Sequence, residues 1–258
     1  MLEKIYPLLA YLKYFLRKED RHSLQSPFSF KVYEGLKKNL KTNDDTELKA
    51  LRKQLLQNHK KITIQDFGAG SIHLKEPIRR ISGITRHSTS SSKFSKLYQY
   101  FCSLTPAQTV IELGTCVGIN TCYLAKTTKG KLYTFEGAEE LAKVAQNTFS
   151  NFSNVSLLIG QIEITLPEFL KRPNKLDFVL IDAHHAYEPT LTFWEQITPF
   201  LNEDSIVAIG DIHRSKGMEQ AWQTIKDSPS VTMSMDFYEC GVLFFKKGLK
   251  KNHYILHY

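Results

Sequence analysis

The chain has 258 residues, 42% apolar and 23% charged, a globular balance that excludes a disordered protein and allows one large domain or a compact domain with an extension. No apolar run is long enough to cross a membrane, and Cys102, Cys116, Cys122 and Cys240 form no C-x-x-C pair, so they read as reduced thiols of a cytoplasmic protein. The net charge is +8, of which residues 1–60 supply +6 through 13 Lys/Arg against 7 Asp/Glu. A solvated helical face is the plainest reading, with an anionic substrate, nucleic acid or membrane surface as alternatives; no nucleic-acid-binding motif accompanies the basic excess.

Leu2, Ile5, Leu9, Leu12 and Leu16 recur at helical spacing and predict an amphipathic N-terminal helix. Lys13 breaks the apolar run and no small-residue cleavage site follows, which argues against a signal peptide. A turn is expected at 22–28, because Pro27 disfavours helix at Ser26. Two more helices complete a helical extension over 1–60, read as a lid or as the oligomerisation arm of a homodimer. Asn43, Asp44, Asp45 and Thr46 form a cap cluster for the helix through Leu48, Leu51 and Leu55. Residues 61–105 are read as a connecting segment: a short strand or extended arm at 61–67, a turn at 66–71, a polar loop at 88–92 and a helix through Leu97 and Phe101.

From residue 109 apolar runs alternate with helical stretches. Runs 109–113, 131–135, 155–159, 176–181 and 205–209 read as buried strands, with helices near 118–128, 138–150, 162–171 and 188–201. A helix through Met218 and Ile225 and two further runs, 231–237 and 241–245, follow. Only Tyr238, Glu239 and Cys240 separate those two runs, a link that permits a hairpin and rules out a crossover. The expectation for 106–258 is therefore an α/β domain: a doubly wound, Rossmann-like, mostly parallel seven-stranded sheet ending in an antiparallel hairpin.

Glu112-Leu113-Gly114-Thr115-Cys116-Val117-Gly118 ends the first of these strands and opens through glycines into a helix. Gly114 permits a tight turn and close approach to a ligand, and the helix after Gly118 offers free N–H groups. The next strand ends on Glu136, 22 residues after Gly114, where a carboxylate can accept the ribose hydroxyls of an adenosine cofactor. A dinucleotide site would need a second glycine, to admit the pyrophosphate, where Cys116 stands. Asp66-Phe67-Gly68-Ala69-Gly70 looks like a second glycine loop, but no acidic strand end follows it; it reads as a structural turn, with His73 near a substrate mouth.

Glu112 to Gly118, Glu136, Asp182-Ala183-His184-His185 and Gly210-Asp211-Ile212-His213 occur in the order of class I S-adenosylmethionine-dependent methyltransferase motifs. Over about 106–246 the chain resembles the catechol and caffeoyl-CoA O-methyltransferase-like branch of small bacterial type. The resemblance implies S-adenosyl-L-methionine as cofactor and a small-molecule methyl acceptor. Glu112 and Gly114 would serve the methionine end, Glu136 the ribose, Gly160 and Gln161 the adenine edge, and Asp182 the crevice between cofactor and acceptor, with Gly118 also among the cofactor-binding residues. Catalysis is assigned to His185 as general base, with Asp182 and His213 beside it, because imidazole titrates in the useful range. The branch holds a divalent metal with an Asp after its fourth strand and an Asp-Asn pair after its fifth. Here Asp182 and Asp211 would be the ligands, but Gly210 or Ile212 occupies the remaining position, and metal dependence is not expected. A catalytically idle, methyltransferase-like protein that binds cofactor or a partner is the competing reading.

Overall fold

The computed structural model describes residues 2–65, 76–172 and 175–258; the 66–70 glycine turn and His73 lie outside them. The chain opens with α1 (Leu2–Arg17), α2 (Pro27–Thr42) and α3 (Thr46–Leu56), a small antiparallel pair of β1 (Lys61–Thr63) and β2 (Ile78–Arg80), then α4 (Ile81–His87) and α5 (Ser92–Ser103). From there strand and helix alternate: β3 (Thr109–Leu113), α6 (Ile119–Ala125), β4 (Lys131–Glu136), α7 (Glu139–Thr148), β5 (Val155–Ile159), α8 (Ile162–Leu170), β6 (Phe178–Ile181), α9 (Tyr187–Ile197), β7 (Ile206–Gly210) and α10 (Lys216–Lys226). The chain finishes with β8 (Met233–Asp236), β9 (Cys240–Phe244) and β10 (Asn252–Ile255).

These strands form one sheet in the order β10-β8-β9-β7-β6-β3-β4-β5. Neighbours from β5 across to β7 run parallel, while β9 is antiparallel to both β7 and β8. The expected α/β class and the terminal hairpin are both present. β3 lies between β4 and β6, so the crossovers leave it in opposite directions; that reversal opens a crevice at the carboxyl ends of the strands. Helices cover both faces, which is why β6 and β7 are buried at every residue and read as unbroken apolar runs. One face packs Leu36 of α2 and Leu97 and Phe101 of α5 against Phe178, Leu180 and Phe244. The other packs Leu166, Phe193 and Trp222 against Ile111, Val179 and Val207.

Two local details differ from the sequence expectation. The sheet has eight strands rather than seven, because β10 pairs in parallel with β8 at the edge. Its Asn252-His253-Tyr254-Ile255 buries only Tyr254, so no apolar run announces it. Asp45 precedes α3 but makes no side-chain cap bond; Asp44 accepts the Thr46 N–H instead, at 3.0 Å. Asp45 is buried and paired with Lys49 and Lys96, each at 2.9 Å, and it accepts the Tyr123 hydroxyl at 2.8 Å. It therefore ties α3 to α5 and α6, and these cationic and hydroxyl partners hold its carboxyl below the usual range despite burial. At α2 the expected bend at Pro27 is realised as a cap, with Ser26 Oγ accepting the Ser29 N–H at 3.0 Å.

Candidate active site

The carboxyl ends of β3, β4, β6 and β7 converge on a cavity of about 540 Å³, walled on its other sides by the 87–91 segment, the β8–β9 turn and Pro7 of α1. Gly114 leaves β3 with φ +102°, a conformation that disfavours any side chain, and a Cβ there would fall 2.4 Å from the Asp182 carbonyl oxygen. The N–H groups of Gly114 and Thr115 both donate to the Phe135 carbonyl, at 3.1 and 3.0 Å. The loop is thus bolted to the end of β4, and Glu136 follows directly. Glu136 lines the cavity; its Oε2 accepts the Cys116 N–H at 2.9 Å and its Oε1 the Ala138 N–H at 3.0 Å. Two backbone donors fix the carboxylate before any ligand arrives.

Asp182 stands at the end of β6. A Cβ on Gly210 would lie 2.1 Å from its Oδ1, so the absence of a side chain at 210 is what makes room for this carboxylate. Burial pushes the Asp182 pKa up to about 6, with Asp211 adding to the rise and His185 and Arg214 opposing it. His185 Nδ1 lies 3.6 Å from Asp211 Oδ2, an ion-pair distance rather than a hydrogen bond, and Arg214 reaches the same oxygen at 3.3 Å.

Strain marks the same cavity. Of the six non-glycine residues with positive φ among the described residues, Cys116, His184, His185, Asp211 and Tyr238 all line it; only Ala107 lies elsewhere. Such conformations cost on the order of 1 kcal/mol or more each and concentrate where function requires them.

Other assigned residues are placed differently. Glu112 is completely buried beneath the loop and does not line the cavity. Its Oε2 accepts the hydroxyls of Thr121 and Thr134 at 2.6 and 2.7 Å, while Oε1 has no partner among the described residues. Burial raises its pKa to about 8 against the pull of those two hydroxyls. Gly118 caps α6 with φ +82° and lies against Phe149 and Ala145 of the α7 layer. Gln161 lines the cavity, whereas Gly160, at φ +134°, only turns the chain ahead of it. His213 lines the cavity edge with Nε2 on Asp236 Oδ2 at 2.8 Å; its ring stacks on Tyr238 at 5.5 Å, and Nδ1 is shut off from solvent without a partner among the described residues. A larger cleft of about 720 Å³ under α1 shares His213 with this site but contains no strand end of the parallel core.

Sequence reasoning passed over His184, Arg214, Tyr98 and Tyr238, all of which line the cavity. Arg214 could have been found as the cation three residues after Asp211. Tyr98 falls at helical spacing beside Leu97 and Phe101, so it reads as core. Tyr238 looked like part of a bare hairpin link.

Residues 111–212 match the family model described as a methyltransferase domain. Solved methyltransferases share the chain's fold. The O-methyltransferase from Bacillus cereus, in complex with SAH, superposes with a TM-score of 0.56 at 15% identity, covering 79% of this chain and 92% of that one. TomG from Streptomyces achromogenes, an O-methyltransferase involved in tomaymycin synthesis and seen in complex with SAM, gives 0.51 at 16% identity, over 61% and 82%. SAH-bound PaMTH1 from Podospora anserina gives 0.52 at 13% identity, over 62% and 80%. At these identities the likeness is one of fold. No curated protein sequence matches the chain. The family match begins within β3 and ends just past β7, so it spans Gly114, Glu136, Asp182, His185 and Asp211.

Proposed function

We propose that the protein transfers a methyl group from S-adenosylmethionine to a hydroxyl of a small-molecule acceptor. The observation that carries this reading is the convergence of Glu136, Asp182 and His185 on one cavity at the switch point of the sheet. The cavity has the size of a nucleoside-bearing site, and the Gly114 turn leaves its floor free of a side chain. Bound there, S-adenosylmethionine supplies an electrophilic methyl on a sulfonium. Glu136, already held by two backbone N–H groups, receives the ribose hydroxyls, and Gln161 borders the adenine. Asp182 faces the cationic end, and its pKa near 6 keeps it ionised at neutral pH.

His185 is the proposed base. Its side chain is partly exposed in the cavity, and Asp211 faces Nδ1 to balance the imidazolium formed when the acceptor's proton is taken. His213 suits the role less: Asp236 occupies one nitrogen and protein encloses the other. It acts as a positioning residue that supports Tyr238. The residues do not fit the divalent metal of the related branch. Gly210 contributes no ligand and gives its space to Asp182, and among the described residues no three His, Cys, Asp or Glu side chains cluster to hold an ion. No step is therefore routed through a metal.

Calorimetry with S-adenosylmethionine and its demethylated product, paired with methyl transfer to a panel of phenols, tests the proposal. Binding without any turnover would favour the idle-protein reading. Glu136→Ala is expected to weaken cofactor binding at least tenfold, since it removes charge-assisted contacts worth a few kcal/mol; unchanged affinity in a folded variant would remove Glu136 from the site. His185→Ala should lower turnover by about 100-fold with cofactor affinity nearly intact. Activity should survive a chelator. Loss of activity on chelation, restored by Mn or Zn, would recast His185 and Asp211 as ligands.

A further inference from the structure

The outward face of α1 is apolar and covered by none of the described residues. Ile5, Leu8, Leu9, Leu12, Phe15 and Leu16 are all exposed, Leu16 to 82%, and their spacing puts them on one side of the helix. With Tyr11 they account for seven of the twelve large apolar side chains exposed among the described residues. The opposite side already attaches α1 to the body. Ala10 and Tyr14 are buried, the Tyr14 hydroxyl donates to the Leu256 carbonyl at 2.7 Å, and the Tyr238 hydroxyl donates to the Pro7 carbonyl at 2.7 Å. Lys13 pairs with Glu219 at 2.9 Å, and Tyr6 bonds the same carboxylate. The exposed stripe is therefore not a core face left undocked. It is a second face, of the kind that marks an interaction surface.

Charge selects the occupant. Arg17 and Lys18 close the helix beside the stripe, and the Lys18 ammonium sits 4.0 Å from the centroid of the Phe15 ring, an apolar body with a cationic rim. Residues 1–60 as a whole carry +6. A second copy of the chain would set this positive region against itself. With 16 residues, α1 is too short to span a bilayer, and no helix among the described residues is long and apolar enough to do so. An apolar face with a basic rim on such a helix suits the plane of an anionic lipid surface. We propose that α1 seats the protein on anionic membrane lipid, with the apolar stripe in the headgroup boundary and Arg17 and Lys18 on lipid phosphates. Pro7 of the same helix walls the candidate active site, so docking puts that site next to the lipid. The surface itself is independent of the acceptor and of the assigned chemistry.

Co-sedimentation of the full chain with vesicles tests this, comparing phosphatidylcholine mixed with phosphatidylglycerol against phosphatidylcholine alone. The protein should pellet with the anionic vesicles, much less with the neutral ones, and less again as salt is raised. Changing Leu8, Leu12 and Leu16 together to serine should cut partitioning by about 100-fold, because three apolar side chains no longer enter lipid. Those side chains are exposed, so the unfolding temperature should hold. A second variant, Arg17→Glu with Lys18→Glu, should abolish the preference for anionic vesicles even if the serine variant folds poorly. Failure of the full chain to pellet with either vesicle would overturn the proposal. So would undiminished binding by both variants, or a solution dimer that the serine changes dissociate, which would assign the stripe to a second copy.

Discussion

A methyl group at position 210 is expected to disable the site. Gly210→Ala would put a Cβ 2.1 Å from Asp182 Oδ1, a separation at which one of the two must move. The backbone has little freedom to yield: β7 is held between β6 and β9 and is buried along its whole length. The carboxylate is the mobile partner, and its displacement takes it from the place between the Gly114 turn and His185. A misplacement of about 1 Å at a reacting centre costs on the order of 100-fold in rate. Gly210→Ala should therefore lower methyl transfer about 100-fold and weaken cofactor binding about tenfold, with thermal stability close to that of the parent. Asp182→Asn, which keeps the shape and removes the charge, is the companion variant and should lose affinity by a similar factor. Turnover at the parental rate in Gly210→Ala would detach Asp182 from the mechanism.

Position 210 also illustrates what could be read from the chain alone and what could not. The strand ends were legible because β3, β6 and β7 are covered on both faces, so their apolar runs and the acids that terminate them stand out. Strand–helix alternation implied a parallel sheet with Glu136, Asp182 and Asp211 at its carboxyl edge, while the order of the strands came only from the fold. The meaning of Gly210 did not follow. In the sequence it is a missing ligand; in the fold it is the space that Asp182 occupies. Glu112 shows the same limit. Its spacing from Gly114 matches a cofactor motif, yet strand alternation turns it into the layer beneath the loop, where Thr121 and Thr134 hold it. Tyr238 and Pro7 meet across more than 200 residues, a contact that no local pattern encodes. β10 was missed because an edge strand with one buried residue carries almost no hydrophobic signal.

Glu112→Gln should change how stability depends on pH. The carboxyl is fully buried, one oxygen has no partner among the described residues, and its pKa rises from an ordinary 4.5 to about 8. Below 4.5 the group is protonated in both the folded and the unfolded chain and contributes no pH dependence. Between 4.5 and about 8 the unfolded chain releases the proton and the folded chain keeps it. The folded state then binds more protons, so stability falls as pH rises across this window. Each unit of pH costs about 1.4 kcal/mol while the two states differ by a full proton, which amounts to a few kcal/mol by neutral pH. Above about 8 both states are ionised and the loss stops growing. Glutamine keeps an oxygen acceptor for the two threonine hydroxyls and has no proton to lose, so its contribution is flat. The amide's own buried hydrogens shift the whole curve but not its slope. Unfolding temperatures of parent and variant, followed from about pH 5 to about pH 8, should diverge steadily in favour of glutamine. Parallel curves would mean that Glu112 is ionised in the folded protein.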